Sequence, residues 1–423
     1  MPDTRPSIFF SLLGTGDYLR CRYRLDDRTS EPANYALAAL TTIAPPPQPD
    51  SIRVACTREA ADKHWDGLAK ALATHRLPDP VPLEIPAGAT EAQLWSIFET
   101  LVDAIPADSD VQLDLTHSFR SLPVLVMMVL QYLKVVKHVR VRGIYYGAFE
   151  ALGSRAEVAA MPETERIVPV FDLTPFVSLF DWSTAVHGFL RFGRAEEMKE
   201  LVDRDITPVL RRARGRNQTA RALRCAVNQV ADFARSNRYV RGRDIAAGRY
   251  HRNIVAQIDR AQENLVRPLQ PLLDELRAQF GAYEDQTVRN GIRAAGWCLD
   301  NGMIQQAATL LQECVITRLQ EKMAQLEQLK SEQARRELLT ALLSVVAKDT
   351  PESEWAGILA ANRGLARECL EALPSALPDI FARLTQLRND LNHGGFVDHP
   401  ADAESLKKRL AHCRDRIAAL LLE

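Results

Sequence analysis

Close to the C-terminus, Arg388-Asn389-Asp390-Leu391-Asn392-His393 runs into Gly394-Gly395. The segment gathers a permanent cation, two amides and an imidazole within about a turn and a half of a helix end. Arginine matches the geometry of a phosphate, histidine moves a proton near neutral pH, and paired glycines commonly close a helix. Together these groups suit metal-free cleavage of RNA. At about 100° per residue, the step from Arg388 to His393 turns by roughly 140°, so the two side chains do not share one face of a regular helix. A compact site then needs either a distorted helix end or a second copy of the segment across a two-fold axis. The second copy is the expectation here, because closed two-fold dimers set identical segments face to face. The structural alternative has Arg388 paired with a carboxylate and His393 merely capping the helix.

A second polar cluster lies in Asp114-Leu115-Thr116-His117-Ser118-Phe119-Arg120-Ser121-Leu122-Pro123. It reads as a strand-to-helix turn, where helix N-terminal amides favour an anion. Asp114 is placed to order the loop, Thr116 and Ser118 to donate to phosphate or ribose oxygens, and Arg120 to supply charge. The alternative is an Asp114–Arg120 ion pair with Thr116 or Ser118 capping the helix. Gly14-Thr15-Gly16 follows an apolar run, and its backbone N–H groups and hydroxyl could hold a phosphate. A nicotinamide-binding turn is a poor match, since its third glycine falls at Leu19.

These loops need a scaffold, and the first 175 residues supply an alternating pattern. Ser7 to Leu13, Ser51 to Thr57, Val111 to Thr116 and Arg142 to Phe149 read as strands. Ala60 to Leu77, Glu91 to Ile105 and Ser121 to Lys137 read as helices. Such alternation predicts a parallel sheet flanked by helices, with ligands beyond the carboxyl ends of the strands. After Asp172-Leu173-Thr174-Pro175 the pattern turns helical: Ala195 to Leu210, Ala220 to Arg235, Asn253 to Gln279, Met303 to Leu342 and Leu377 to His393, with breaks expected at Pro208, Pro268 and Pro351. The fold expected is therefore α/β for 1–175 followed by all-α for 176–423. The densest basic run, Arg211 to Arg216 with Arg221 and Arg224 beyond, suits either an RNA backbone or a solvated connector.

The chain has 423 residues, 25% charged and 46% hydrophobic, with 53 basic against 54 acidic side chains. A net charge of −1 means that any nucleic-acid contact must be a local patch. The seven cysteines are scattered and lack a C-x-x-C pair, which argues against a zinc site or a disulfide framework and suits a reducing cytoplasm. Cys298 and Cys314 sit in apolar helical patterns and read as core. Leu122 to Val136 is interrupted by Gln131, Tyr132 and Lys134, too short and polar to span a membrane.

Taken in order, these segments resemble the CARF-HEPN ribonucleases of type III CRISPR systems. The resemblance rests on Ser7 to Tyr18, Asp114 to Pro123, Tyr145 to Ala151, Asp172 to Phe176, Trp297 to Glu313 and Arg388 to Gly395, and leaves 195–290 poorly matched, as a helical insertion or linker. It implies a Rossmann-like CARF sensor over 1–175 and a helical region ending in a HEPN ribonuclease domain. It implies a homodimer that binds a cyclic oligoadenylate, cyclic tetra-adenylate first, through Gly14, Thr15, Gly16, Asp114, Thr116, His117, Ser118 and Arg120. Ser118 departs from the family's usual glycine, which leaves ring size open. Single-stranded RNA would be cut without a metal or cofactor by Arg388 and His393, with Asn389 and Asn392 positioning. Two other readings remain: a ligand-sensing regulator that no longer cuts, and a ring nuclease acting on the cyclic ligand itself.

Overall fold

The computed structural model describes residues 5–117, 122–262, 269–284 and 287–422, the side chain of residue 262 excepted. The chain divides into two compact units, 1–178 and 179–423, and the division falls within a single helix, Thr174–Phe192.

The first unit is built on an eight-stranded mixed sheet. In chain order its elements are β1 (Ser7–Leu13), β2 (Arg22–Leu25), β3 (Arg28–Thr29), α1 (Ala36–Ile43), β4 (Ser51–Cys56), α2 (Arg58–Thr74), β5 (Pro80–Glu84) and α3 (Glu91–Ala104). There follow β6 (Asp110–Asp114), α4 (Leu122–Val136), β7 (Arg140–Gly147), α5 (Arg155–Ala160), β8 (Ile167–Asp172) and α6 (Thr174–Phe192). The strand order is β3-β2-β8-β7-β6-β1-β4-β5.

β1 is buried along its whole length because it is covered on both faces. Ile8, Phe10 and Leu12 join a core with α3 and α4, whereas Phe9 and Leu13 join another with α1 and α2. That alternation is the two-residue period of a strand, and it makes a three-layer arrangement. β4 and β6 flank β1 in parallel, so the sheet grows one way through β4 and β5 and then the other way through β6 and β7. The reversal lies between β1 and β6, a topological switch point that leaves a crevice at their carboxyl ends.

The sheet departs from the all-parallel expectation. β8 runs antiparallel to β7, and β3 antiparallel to β2 across a tight turn in which Asp26 takes φ 50°. An antiparallel neighbour needs no crossover helix, which is why helix–strand alternation gave no sign of β2, β3 and β8. β5 was missed for another reason: it carries Pro80 and Pro82, tolerated because it is an edge strand.

The second unit is helical. After α6 come α7 (Glu196–Leu201), α8 (Thr207–Arg212), α9 (Gln218–Arg238), α10 (Gly242–Ala246), α11 (His251–Gln262), α12 (Gln270–Phe280) and α13 (Val288–Asp300). Then follow α14 (Ile304–Lys322), α15 (Glu332–Ala347), α16 (Gly357–Ala361), α17 (Arg363–Glu371), α18 (Leu377–Asn392) and α19 (Ala403–Leu422). One apolar core runs through the unit and takes in Phe189, Phe233, Phe280 and Trp297. Cys298 and Cys314 are buried in it, and burial pushes both thiols up to about 12.

Two helical expectations need correction. Met303 to Leu342 is not one continuous stretch: the chain leaves α14 at Met323, makes a short 3-10 turn and restarts at α15, capped by Ser331. No breaker residue marks that turn; Leu326 is buried in the core, so packing overrides a helical pattern. At Pro208 the expected interruption takes a milder form: the π-helical turn Val202–Ile206 separates α7 from α8, and Pro208 sits in the first turn of α8. The breaks at Pro268 and Pro351 fall differently: Pro268 lies outside the described residues, and Pro351 follows the end of α15. Among the described residues no helix is long and apolar enough to cross a membrane.

Gly143 illustrates how closely the sheet is fitted. Tyr145, two residues on along the same face, is fully buried with its ring stacked on Phe9, and its phenol occupies the space that a Gly143 side chain would need. Gly143→Ala should therefore destabilise the first unit by about 1–3 kcal/mol. Thermal unfolding of the full chain checks this, and an unchanged midpoint would mean that Tyr145 can move aside.

Candidate functional site

The crevice at the switch point is lined by the loops that leave β1 and β6. Ser11 on β1 pairs in register with Asp114 on β6, and their side chains are bonded, Ser11 Oγ donating to Asp114 Oδ2 at 2.9 Å. Asp114 has no solvent exposure, and its other oxygen accepts the Thr116 N–H at 2.8 Å. Burial pushes its carboxyl well above the usual range, against the opposing pull of hydrogen bonds from Thr116 and Ser11. Asp114 thus orders the loop from beneath. The Thr116 hydroxyl oxygen accepts the Gly147 N–H at 2.8 Å, which ties the loop to the end of β7.

The β1 loop is organised by Tyr18. Its hydroxyl donates to the Gly14 carbonyl at 2.8 Å and accepts the Gly14 N–H at 3.0 Å, closing the turn on itself. The Tyr18 ring lies 3.9 Å from His117 and 4.6 Å from His64, centroid to centroid. This contact brings the Gly14-Thr15-Gly16 turn and the Thr116-His117 turn together. From α2, Lys63 donates to the Thr15 carbonyl at 2.7 Å and His64 Nε2 bonds the Gly16 carbonyl at 2.7 Å. Lys63 also bonds Asp17 at 2.8 Å and holds that carboxyl below the usual range, with Arg155 adding to the effect.

His117 is committed within this packing. Its Nε2 accepts the Ala36 N–H at 3.1 Å, so the ring proton resides on Nδ1. Burial pushes the imidazole down to about 3, and it remains neutral. Thr15 and Gly16 are exposed at the crevice mouth, Gly14 is buried, and Thr116 and His117 are half-buried. Ser118 and Arg120 lie outside the described residues.

In the helical unit, α18 begins with Pro378 in its first turn and ends at a glycine pair. Gly394 and Gly395 take φ of 60° and 79°, and the Gly395 N–H reaches back to the Asp390 carbonyl at 3.0 Å. This is the left-handed closure that the sequence indicates. Arg388 is half-buried and donates from Nη1 to Gln312 Oε1 on α14 at 2.7 Å. Its Nε is buried and, among the described residues, has no hydrogen-bond partner. Gln312 in turn donates to Thr385 Oγ1 at 2.8 Å, so α14 holds the guanidinium from a glutamine that is itself held. Asn392 accepts from Gln305 Nε2 at 3.0 Å, while Asn389 and His393 are exposed. The carboxylate partner that a purely structural Arg388 would want is a glutamine amide. Within one chain Arg388 turns towards α14 and His393 sits beyond the last helical residue.

Tyr18, His64, Lys63 and Gln312 complete these sites, and sequence reasoning assigned none of them a role. Tyr18 falls four residues after Gly14, at the end of the segment Ser7 to Tyr18, which is a faint signal. Gln312 lies 76 residues from Arg388, and nothing in its neighbourhood announces the contact.

What the fold and its sites define is a chain with a mixed α/β unit, a polar crevice at that unit's switch point, and a helical unit in which a Gln-held arginine precedes an exposed histidine at a helix end. The chain is similar, at 25% identity over 121 residues, to a CRISPR-associated protein of Methanocaldococcus jannaschii. The aligned segment is 28% of this chain and 18% of that protein, so the chain spans less than a fifth of the relative's length. No family model matches the chain.

The His117 environment has a pH signature. The folded imidazole refuses a proton that the unfolded chain accepts near the ordinary value of 6.5, so the unfolded state binds more protons between about pH 3 and 6.5. Stability should therefore fall as pH drops below about 6.5. His117→Gln, which can still accept the Ala36 N–H but does not titrate, should flatten that slope in thermal unfolding between pH 7.5 and 5. The same slope in both proteins would contradict the burial of His117.

Proposed function

We propose that this protein is a cyclic-oligoadenylate-activated, metal-independent endoribonuclease of CRISPR defence, with a CARF-like sensor over the sheet unit and a HEPN-like ribonuclease centre on α18. The observation that carries the reading is the pairing of two sites in one chain: an anion-suited crevice at a switch point, and Arg388 with His393 at the glycine-closed end of α18. The similarity to a CRISPR-associated protein supports the setting.

In the crevice, the exposed Thr15 and Gly16 offer backbone and hydroxyl donors to phosphate and ribose oxygens and Thr116 its hydroxyl proton, while Gly14, Asp114 and His117 hold the loops in place. Ser118 and Arg120 belong to the same proposed ligand set. At α18, the RNA 2'-hydroxyl attacks the adjacent phosphorus. The 2'-O–P bond forms, the P–O5' bond breaks, the 2'-hydroxyl loses its proton and the departing O5' gains one, leaving a 2',3'-cyclic phosphate and a 5'-hydroxyl. His393 serves proton transfer and Arg388 stabilises the charge that grows on the phosphoryl oxygens. Asn389 and Asn392 position the phosphate. Arg388 is held against α14 while His393 is exposed beyond the last helical residue, which favours a site completed by a second copy.

An apolar stripe on α4 suits such a copy. Val124, Met128, Tyr132 and Val135 are exposed there at helical spacing, with Trp95 exposed on α3. An apolar surface of this kind on one helix marks an interaction face. Met128→Asp should turn a dimer into a monomer in light scattering and lower RNA cleavage with it; a dimer unaffected by the charge would remove this face from the proposal.

The reading is tested by cleavage of a labelled single-stranded RNA in EDTA, with and without cyclic tri-, tetra- and hexa-adenylate. Ring-dependent cutting, abolished by His393→Ala and by Arg388→Ala, is expected. Gln312→Leu should lower kcat on the order of ten- to a hundred-fold with little change in KM, because it releases the guanidinium from its set position. Absence of cutting with every ring, or full activity in both α18 alanine variants, would overturn the assignment.

A further inference from the structure

Between α18, α19 and the loop that joins them lies a groove of about 910 Å³, on a different side of α18 from the Gln312 contact. Its lining includes Arg383, Asn389, His399, Lys408, Arg409 and His412. A smaller extension of about 110 Å³ adds Arg416 beside Arg383 and His412.

Most of the cations here have no acid partner among the described residues. Among the described residues, no carboxylate lies within ion-pair distance of Arg383, Arg409 or Arg416; Lys408 pairs with Glu404. The contrast is with the other large groove of the helical unit, along α14 and α15, where Arg243 bonds Glu332 and Arg336 bonds Glu313. Of the three acids lining the groove and its extension, Asp390 is buried and accepts the Ala401 N–H at 2.7 Å, so it is spent on shaping the joining loop, and Asp379 is exposed in the extension. Asp398 is exposed. The surface is thus an excess of exposed cations with two imidazoles among them, in a protein whose net charge is only −1.

Two further features point to the kind of ligand. Phe396, next to the lining residue Val397, is 93% exposed, and it follows directly on the glycine pair that ends the His393 turn. An exposed aromatic ring on the loop that borders a groove lined by guanidiniums offers a base to stack on and cations for its backbone. Asn389, which belongs to the proposed reacting centre, also lines the groove.

We propose that the α18–α19 groove is the path of the RNA strand on its way to His393: Arg383, Arg409 and Arg416 contact phosphates, and Phe396 stacks a base. The inference rests on the ribonuclease reading for what happens to the strand, but binding can be measured without cleavage.

The test is fluorescence anisotropy of a labelled single-stranded RNA with the full chain carrying His393→Ala, over a series of salt concentrations. Adding Arg383→Ala with Arg409→Ala should weaken binding ten-fold or more and reduce the slope of log affinity against log salt by about 1.4, the loss of two single-strand phosphate contacts. Adding Phe396→Ala should weaken binding five-fold or more with the slope unchanged, as expected for lost stacking. Arg211→Ala with Arg214→Ala, which removes equal charge from the exposed basic run at the end of α8, should change affinity less than three-fold. Unchanged affinity in the groove variants, or a larger loss in the α8 variant, overturns the groove. So does displacement of the RNA by a polyglutamate peptide of equal length at equal concentration, which would make the groove a site for acidic protein segments. If the otherwise wild-type chain cleaves RNA while the groove variants bind normally, only the groove fails. Groove-dependent binding by a chain that never cleaves keeps the groove and removes the ribonuclease reading.

Discussion

The carboxyl group of Asp114 is shut away from water at the point where the direction of the sheet reverses. A buried carboxyl that lacked partners would be costly, and the two donors nearest to it come from different places, the Ser11 hydroxyl on β1 and the Thr116 backbone on the exit from β6. Satisfying one group therefore fixes the spacing of two loops. From that anchor the rest of the crevice follows: Thr116 is set to receive the Gly147 N–H, His117 to receive the Ala36 N–H, and the His117 ring to lie against Tyr18. The residues in the middle of this network are spent on construction, which leaves the contacts to a ligand to the exposed positions at its rim.

The helical unit uses the same economy with neutral groups. Gln312 lies nearly buried between α14 and α18 and makes both of its amide atoms useful, accepting from Arg388 and donating to Thr385. Thr385 passes the bond to the Phe381 carbonyl inside α18. A carboxylate in place of Gln312 would have neutralised the guanidinium. An amide orients it and leaves its charge in place.

The legible part of this structure was the part governed by local pattern. β1, β4, β6 and β7 and the helices between them follow from period and length, and the end of α18 follows from Gly394-Gly395. Less legible were elements whose existence is decided by neighbours. β8 carries Pro169 and pairs at its two edges in opposite senses, and the turn after Met323 interrupts a helical pattern to bury Leu326. At the sites, the residue types that carry chemistry stood out, but their supports did not. Tyr18, His64 and Gln312 act through single contacts across 48 to 76 residues of sequence or through the closure of a short turn, and such contacts leave no periodic trace.

The glycine pair that closes α18 separates a requirement of the backbone from one of a side chain. Gly394 and Gly395 are held by backbone geometry, since both adopt left-handed angles that a side chain would strain. His393, exposed at the helix cap, makes no comparable structural demand. Were His393 the proton-transfer group proposed above, drift in a lineage that had given up that chemistry would erase the imidazole while the two glycines stayed. The order in which these three adjacent positions decay would then record whether a descendant had lost its activity or its fold.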